Sequence, residues 1–280
     1  MRIIACEEII KAVRDLCIQA NVHIGQDVIA GMDKAILKEQ SPLACEILSQ
    51  LKDNAKLAAS KQMPICQDTG MAVVFFEIGQ NVSVVDGSIE KAIHEGVRQG
   101  YRKGYFRASV VSDPLQRKNT GDNTPAVIHY DIIEGDNIHI TVAPKGFGSE
   151  NMSGVKMLKP SDGVEGVKKF VIDVIDLAGG NPCPPMVVGV GIGGTMEKAA
   201  FLAKKALLRP VGSTHPDPYY QDLEVELLNK ANQTGIGPQG LGGTTTALAL
   251  HIDSYPTHIA GLPVAVNISC HVTRHAYTIL

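Results

Sequence analysis

A short polar turn at residues 61–70 separates two stretches of opposite secondary-structure preference. The chain before it has the spacing of amphipathic helices, and a hydrophobic run at residues 71–78 follows it. Cys66, Gln67 and Asp68 place a thiol, an amide and a carboxylate in consecutive positions, with a proline before them and a glycine after them. Side chains at such junctions can face a cleft instead of a core. The sequence therefore predicts a reactive turn between helices and strands.

The composition is that of an ordinary globular protein. The 280 residues are 44% hydrophobic and 20% charged, which is enough for a sizeable core. A net charge of −3 gives no general argument for binding nucleic acid. No apolar run approaches the roughly 20 residues that span a bilayer, and the residues before Cys6 are too few for a signal peptide. We therefore expect a cytoplasmic protein that binds neither nucleic acid nor membrane.

The first 60 residues carry a helical pattern. Helices are predicted at residues 3–20, at residues 25–38 and from Ser41 onward, where a serine–proline pair suits a helix start. Cys6 and Cys17 fall on the apolar face of the first helix, and Cys45 lies in the third. Metal ligation is one interpretation of these thiols, but burial as small hydrophobic side chains is favoured.

The rest of the chain alternates between strand and helix patterns. Strands are predicted at residues 71–78, 82–85, 126–133, 137–143, 186–190, 244–252 and 263–268, and helices at residues 88–103, 164–177, 195–208 and 219–233. A short glycine turn joins the strands at 126–133 and 137–143, which predicts a β-hairpin. The fold class is α+β, with mixed β-sheets flanked by helices and an all-helical N-terminal layer at residues 1–60. A single domain over residues 1–280 is the simplest prediction.

Two further segments leave alternatives open. Residues 106–125 are polar and irregular, which is typical either of an ordered functional loop or of a solvated one. Residues 189–194 match a G-x-G-x-x-G pattern between a strand and a helix, as in dinucleotide sites and nucleotide-dependent oxidoreductases. No second strand ending in an acidic residue follows at the expected place, so nucleotide binding is disfavoured.

Cys66, Cys183 and Cys270 differ from the helical cysteines because each lies at a strand edge or in a turn rich in proline and glycine. Three thiolates are too few to fill a four-iron cluster, which usually has four ligands, so one iron would stay open to act as a Lewis acid. Zinc is the competing metal, and it would need a fourth ligand such as His258 or His271.

Four segments together resemble one protein family. Residues 64–70, 145–151, 237–243 and 258–267 are similar to motifs of the iron–sulfur class I fumarase and tartrate dehydratase family. The resemblance covers essentially the whole chain and corresponds to the family's N-terminal catalytic half, which is the α subunit of its two-subunit members. Phe147 stands where a further glycine would be expected, which affects how closely that backbone approaches a ligand.

The resemblance implies a cofactor and a set of site residues. A [4Fe–4S] cluster would be held by Cys66, Cys183 and Cys270, and its open iron would bind the substrate. The other implied site residues are Gln67, Arg107 and Gly148 around a bound diacid, with Asp68 and His258 as catalytic residues. Arg117 and Arg274 are candidates for holding the second carboxylate, although a surface or structural role is the favoured interpretation for both.

The resemblance also implies an activity and a partner. We expect a hydro-lyase α subunit that reversibly hydrates fumarate to malate, the compact chain length favouring this over tartrate dehydration. In the family, the general base belongs to the other half of the enzyme, so a β subunit is the expected partner, in a homodimer of α or an α2β2 assembly. The alternative outside this class is a non-catalytic iron–sulfur or zinc redox protein.

Overall fold

The computed structural model describes residues 1–280, which divide into two compact units. The first contains Met1–Ile24, Ala55–Phe147 and Arg274–Leu280, and the second contains Gly25–Asn54 and Gly148–Thr273. Helices and mixed sheets alternate along the chain, so the predicted α+β class is confirmed. No helix combines the length and the apolar character that a membrane span requires.

The first unit is built on a four-stranded mixed sheet. Its strands are β2 (Met71–Gly79), β4 (Val127–Ile133), β5 (Ile138–Lys145) and β10 (Ala276–Ile279), in the order β10-β5-β2-β4. Strand β2 is apolar almost throughout and lies inside the sheet, as a continuous hydrophobic run predicts. Strand β10 was not predicted, because four residues at the end of a chain give too short a pattern.

Two helices cover this sheet. They are α1 (Cys6–Val22) and α4 (Ile89–Lys103), and the end of α3 (Pro42–Lys61) also belongs to this unit. Ile9, Val13 and Ile93 are completely buried in the shared core. The prediction that the first helix begins at residue 3 is wrong, because β1 (Arg2–Ala5) precedes it and pairs in parallel with β3 (Val82–Val85). An isolated pattern of helical period could not reveal that distant strand.

The predicted hairpin between the fourth and fifth strands is also wrong. Strand β2 lies between β4 and β5, parallel to β4 and antiparallel to β5. The connection at Gly135 crosses the end of β2, where Gly79 N donates to Asn137 O at 2.8 Å and Asn81 N donates to Gly135 O at 3.0 Å. Strand β2 pairs with β4 along one edge and with β5 along the other, a long-range pairing that a local turn signal does not report.

The second unit has a sheet covered by helices on both faces. Its strands are β6 (Gly154–Leu158), β7 (Met186–Gly193), β8 (Ala247–Tyr255) and β9 (Leu262–Ser269), in the order β6-β9-β7-β8. Its helices are α2 (Gln26–Lys38), most of α3, most of the short α5 (Phe147–Glu150), α6 (Gly163–Ala178), α7 (Met196–Ala206) and α8 (Pro218–Gln233). Alternate residues of β7 serve the two faces: Val188 and Val190 enter a core with α6 and α8. Strand β6 was not predicted.

Helix α7 packs directly onto the glycines of β7. A Cβ atom added at Gly189 or Gly191 would lie 2.0 Å from Ala203 O or Ala199 O, respectively. In a dinucleotide fingerprint the first glycine serves the tight turn after the strand, whereas Gly189 and Gly191 lie inside β7 itself. Close helix–strand packing therefore accounts for Gly189 and Gly191 of this pattern.

Gly191→Ala is expected to lower the free energy of unfolding by about 1–3 kcal/mol, because α7 must move away from β7 to admit the methyl group. Urea unfolding of the purified chain measures this. Gly261→Ala is the matched control, since a Cβ atom there would have no neighbour closer than 3.8 Å. Equal unfolding midpoints for the two variants would contradict the packing described here.

Candidate active site

The polar turn that follows α3 presents the three consecutive side chains selected from the sequence. Cys66 and Asp68 are half-buried and Gln67 is exposed. The sulfur of Cys66 lies 3.3 Å from Gln67 Oε1 and 3.4 Å from the Asp68 N–H, which donates to it. The first unit thus offers a thiol, an amide and a carboxylate at one accessible turn.

The Asp68 carboxylate is held by two backbone hydrogen bonds. Gly70 N donates to Oδ1 and Phe147 N donates to Oδ2, each at 2.9 Å. These bonds fix the carboxylate between its own turn and the first residue of α5. Each oxygen keeps a second lone pair, so the group can still carry or accept a proton.

Arg274 holds the backbone of this turn. Its side chain is buried, with the residue 7% exposed. Nη2 donates to Asp68 O, and Nε donates to Pro144 O at 3.3 Å. Nη1 has no hydrogen-bond partner and no contact with solvent. The guanidinium is committed to backbone carbonyls, which supports the structural interpretation of Arg274 over the carboxylate clamp.

Two more buried side chains hold the next carbonyls of the turn. The Tyr101 hydroxyl lies 2.7 Å from Thr69 O, and Asn123 Nδ2 donates to Gly70 O at 3.1 Å. Tyr101 comes from α4 and Asn123 from the polar segment at residues 106–125. The carbonyls of three consecutive turn residues are thus all satisfied by buried donors, which restricts the backbone beneath Asp68.

Arg107 is tied to the same turn through Thr69. The Thr69 hydroxyl accepts from Arg107 N at 3.0 Å and lies 3.3 Å from Arg107 O. Thr69 is 1% exposed, whereas Arg107 is exposed and its guanidinium makes no hydrogen bond or ion pair within the chain. The backbone of Arg107 is therefore fixed beside the Asp68 turn while its charged end stays available to an anion.

Gly148 lies at an open surface. A Cβ atom at this position would meet only Asn181 O, at 3.9 Å, and the backbone does not need a positive φ. Neither the fold nor local packing therefore requires a glycine here. The empty space above its backbone is consistent with close approach of a ligand.

In the second unit the backbone at Cys183 and the backbone at Cys270 and His271 lie side by side. His271 N donates to Cys183 O at 3.2 Å, and His271 Nδ1 lies 3.0 Å from the same oxygen. Cys183 is exposed and has a φ of +54°, a conformation that non-glycine residues rarely adopt. The folded second unit thus brings together two of the three selected cysteines, which are far apart in the sequence.

The six thiols differ in burial, and the two in α1 are buried as the sequence predicted. None forms a disulfide. Cys6 and Cys17 are buried, and burial raises the pKa of both thiols, with Asp86 adding to the effect at Cys6. Cys45 is half-buried in α3, with its sulfur 3.8 Å from Ile36 O. Burial supports the interpretation of Cys6 and Cys17 as small hydrophobic side chains. For Cys45, which is half-buried like Cys66 and Cys270, this interpretation stays a prediction.

The donor chemistry of the other three cysteines suits an iron–sulfur cluster. Cys66, Cys183 and Cys270 are accessible or half-buried thiols in loops, the ligand type that such clusters prefer. Cys66 lies in the first unit and the other two in the second. No group of three or more His, Cys, Asp or Glu side chains converges in a metal-binding geometry. The three thiols therefore fit an iron–sulfur cluster by donor type.

His258 lies in the exposed connection between β8 and β9. Its Nδ1 accepts a hydrogen bond from Ala260 N at 3.2 Å, so this bond does not use Nε2. His258 belongs to the second unit and Asp68 to the first. Its predicted catalytic role stays a prediction.

The side chains that hold these residues were not found from the sequence. Tyr101, Asn123 and Gln239 contact the turns that carry the candidate site residues only through tertiary structure. The one available signal was local: all three lie in or beside segments with an unusual density of polar residues or glycines. That signal does not show which residues these side chains contact.

Comparisons with known proteins identify the family of this α+β chain. The family model described as fumarate hydratase (Fumerase) matches residues 10–279. A Methanocaldococcus jannaschii protein, provisionally named L(+)-tartrate dehydratase subunit alpha, is 44% identical over 264 residues, covering 92% of each chain. The Escherichia coli K12 protein named L(+)-tartrate dehydratase subunit alpha is 34% identical over 273 residues, covering 96% of this chain and 90% of its own.

This chain belongs to the fumarate hydratase family. The family resemblance found in the sequence motifs is therefore confirmed, and it extends over nearly the whole chain.

Proposed function

We propose that this chain is the α subunit of a hydro-lyase that removes water from a four-carbon hydroxy dicarboxylic acid. The observation that carries this proposal is the rigid turn in which the Cys66 thiol and the Asp68 carboxylate are separated by one residue. The relatives named as alpha subunits of a dehydratase support the reaction class.

Cys66, Cys183 and Cys270 would hold a [4Fe–4S] cluster. Bound there, such a cluster supplies a Lewis acid at its one iron without a protein ligand. The thiols of Cys183 and Cys270 come from a pair of turns already joined by the His271–Cys183 hydrogen bond.

Asp68 and Arg107 would handle the substrate. Dehydration needs a proton at the departing hydroxyl, and Asp68 keeps free lone pairs for carrying that proton. In the hydration direction the same carboxylate takes the proton back from water. Arg107 offers a planar pair of N–H donors to a substrate carboxylate, and the exposed amide of Gln67 adds a neutral donor. The Gly148 backbone leaves room for the substrate at the start of α5.

A complete active site would require a β subunit. Abstraction of the C–H proton needs a base other than Asp68, and a diacid needs a second charged clamp, which Arg274 does not supply in its buried position. The alpha-subunit names of the relatives support a two-subunit enzyme. His258 is the candidate for passing a proton to or from Asp68 in the assembled enzyme.

L(+)-tartrate is the first substrate to test. The chain length had favoured fumarate, but relatives that match more than nine-tenths of this chain are named L(+)-tartrate dehydratase subunits. The fumarate hydratase family model keeps the malate–fumarate pair as the second candidate. The two substrates differ by one hydroxyl group, which a hydrogen-bonding site can distinguish strongly.

The test is turnover of the chain co-purified anaerobically with its β subunit. Oxaloacetate formed from L(+)-tartrate and fumarate formed from L-malate are measured side by side. We expect kcat/KM for L(+)-tartrate to exceed that for L-malate by at least about tenfold. The reverse preference would overturn the substrate assignment, and no dehydration of either acid would overturn the proposed function.

A further inference from the structure

A glutamine on the glycine-rich loop at residues 237–243 contacts the turn that contains Cys183. Gln239 donates to Pro184 O twice, from its backbone N and from its side-chain Nε2, both at 2.8 Å. Pro184 directly follows Cys183 in the chain. A single residue of the loop thus donates two hydrogen bonds to the carbonyl next to a candidate cluster ligand.

The same side chain also reaches the residue after Cys270. Gln239 Nε2 lies 3.2 Å from His271 Nδ1, and that nitrogen lies 3.0 Å from Cys183 O. The nitrogen either accepts from Gln239 or donates to Cys183, depending on the tautomer, but not both. In either tautomer the backbone N–H of His271 still donates to Cys183 O. Gln239, His271 and the Cys183–Pro184 turn therefore form one connected polar network.

The loop is shaped to present Gln239. The φ of Gln239 is +55°, in the left-handed region that costs a residue with a side chain free energy. Next to it, a Cβ atom at Gly240 would lie 2.7 Å from the Cα of Gly180, so the loop backbone rests directly on the segment that leads to Cys183. Larger side chains would lift the loop away and withdraw the glutamine amide.

The far end of this loop is anchored independently. Both carboxylate oxygens of Glu39 accept from Thr244 N, at 2.9 and 3.0 Å. Partial burial would raise the pKa of Glu39, but hydrogen bonds from Thr244, Ser41 and Thr245 outweigh it and lower that pKa to about 2. Glu39 therefore stays ionised at neutral pH and keeps the loop end in place.

We propose that Gln239 is a positioning residue that fixes the Cys183–Pro184 turn against His271 and so pre-aligns the thiols of Cys183 and Cys270. The identity of the bound group rests on the proposed function, whereas the network itself is a feature of the folded chain. Groups that orient metal ligands in this way typically change metal affinity or activity by about 10–100-fold when removed.

The test compares Gln239→Ala and the near-isosteric Gln239→Glu with Gln233→Ala, an exposed glutamine at the end of α8. Each purified chain is reconstituted anaerobically with iron and sulfide, and the rate of iron release to a chelator is measured. We expect both Gln239 variants to release iron about 10–100-fold faster than wild type, and Gln233→Ala to match wild type. Thermal unfolding identifies any variant that fails to fold.

A second readout needs no cluster. In the metal-free chain, the alkylation rates of individual cysteines are followed by mass spectrometry. The substitutions at Gln239 are expected to speed alkylation of Cys183 and Cys270 several-fold relative to Cys66, which contacts a different turn. Failure of wild type to bind iron and sulfide would count against the proposed function. The alkylation rates alone would then test whether Gln239 positions the Cys183–Pro184 turn. Release and alkylation rates equal to wild type in a folded Gln239→Glu chain would overturn the proposal.

Discussion

Asp68→Asn is expected to retain the full iron and sulfide content of the reconstituted enzyme while lowering kcat by about 10²–10⁴-fold. The substitution keeps the shape of the side chain and removes its capacity to carry the reacting proton. The Cys66 sulfur receives its N–H from the backbone of residue 68, which the substitution leaves in place. The expected result is thus loss of turnover without loss of the cofactor.

The structural cost of this substitution is local. An asparagine oxygen can replace Oδ1 as the acceptor for Gly70 N, but the amide NH2 would then face the Phe147 N–H that Oδ2 now accepts. One lost hydrogen bond of this kind costs about 1–3 kcal/mol, which unfolding measurements would register. Asp176→Asn, an exposed carboxylate on α6, is the matched control. Turnover of Asp68→Asn within twofold of wild type would remove Asp68 from the mechanism.

Cys183→Ala is expected to abolish stable cluster binding, whereas Cys17→Ala should leave it unchanged. Cys183 is an exposed thiol beside the Cys270 backbone, while Cys17 is completely buried in the core of the first unit. A three-thiolate site cannot lose one ligand without losing most of its hold on the metal. Alanine is the better replacement in both variants, because serine would bury a hydroxyl at position 17.

Iron and labile sulfide per chain after anaerobic reconstitution give the measurement. Cys66→Ala and Cys270→Ala should behave like Cys183→Ala, and Cys45→Ala should behave like Cys17→Ala. If all five variants load equally, the assignment of three ligating cysteines is wrong. Loss of loading in Cys17→Ala with an unchanged unfolding midpoint would contradict the division between structural and ligating thiols.

Local pattern predicted most regular elements of the fold. The helices later found as α4, α6, α7 and α8 have strong apolar periodicity and capping or glycine signals, and they lie within a few residues of the predicted bounds. Pattern failed where pairing depends on distant residues. The turn at residues 134–136 looked like a hairpin turn, yet β2 occupies the space between the two strands. The pairing of β1 with β3 escaped for the same reason.

The candidate site divides in the same way. Residues proposed to meet a ligand could be selected from the sequence because reactive side chains stand out in turns and motifs, as with Cys66 and Asp68. The side chains that hold these turns could not be selected, because Tyr101, Asn123 and Gln239 contact residues that are 32, 53 and 55 positions away, respectively. For Arg274 the sequence left a carboxylate clamp open beside the favoured structural role, and its burial and its hydrogen bonds to two backbone carbonyls support the structural role.

The proposed activity depends on an iron–sulfur cluster that this chain would hold and that would bind a hydroxy diacid. The most direct test is metal and labile sulfide analysis of the anaerobically reconstituted chain with its β subunit, with the absorption and electron paramagnetic resonance spectra recorded before and after adding L(+)-tartrate or L-malate. We predict about four iron atoms and four sulfides per chain and a spectrum that shifts when one of these acids is added. Stoichiometric zinc without sulfide, together with spectra that do not change when either acid is added, would contradict the proposed cluster.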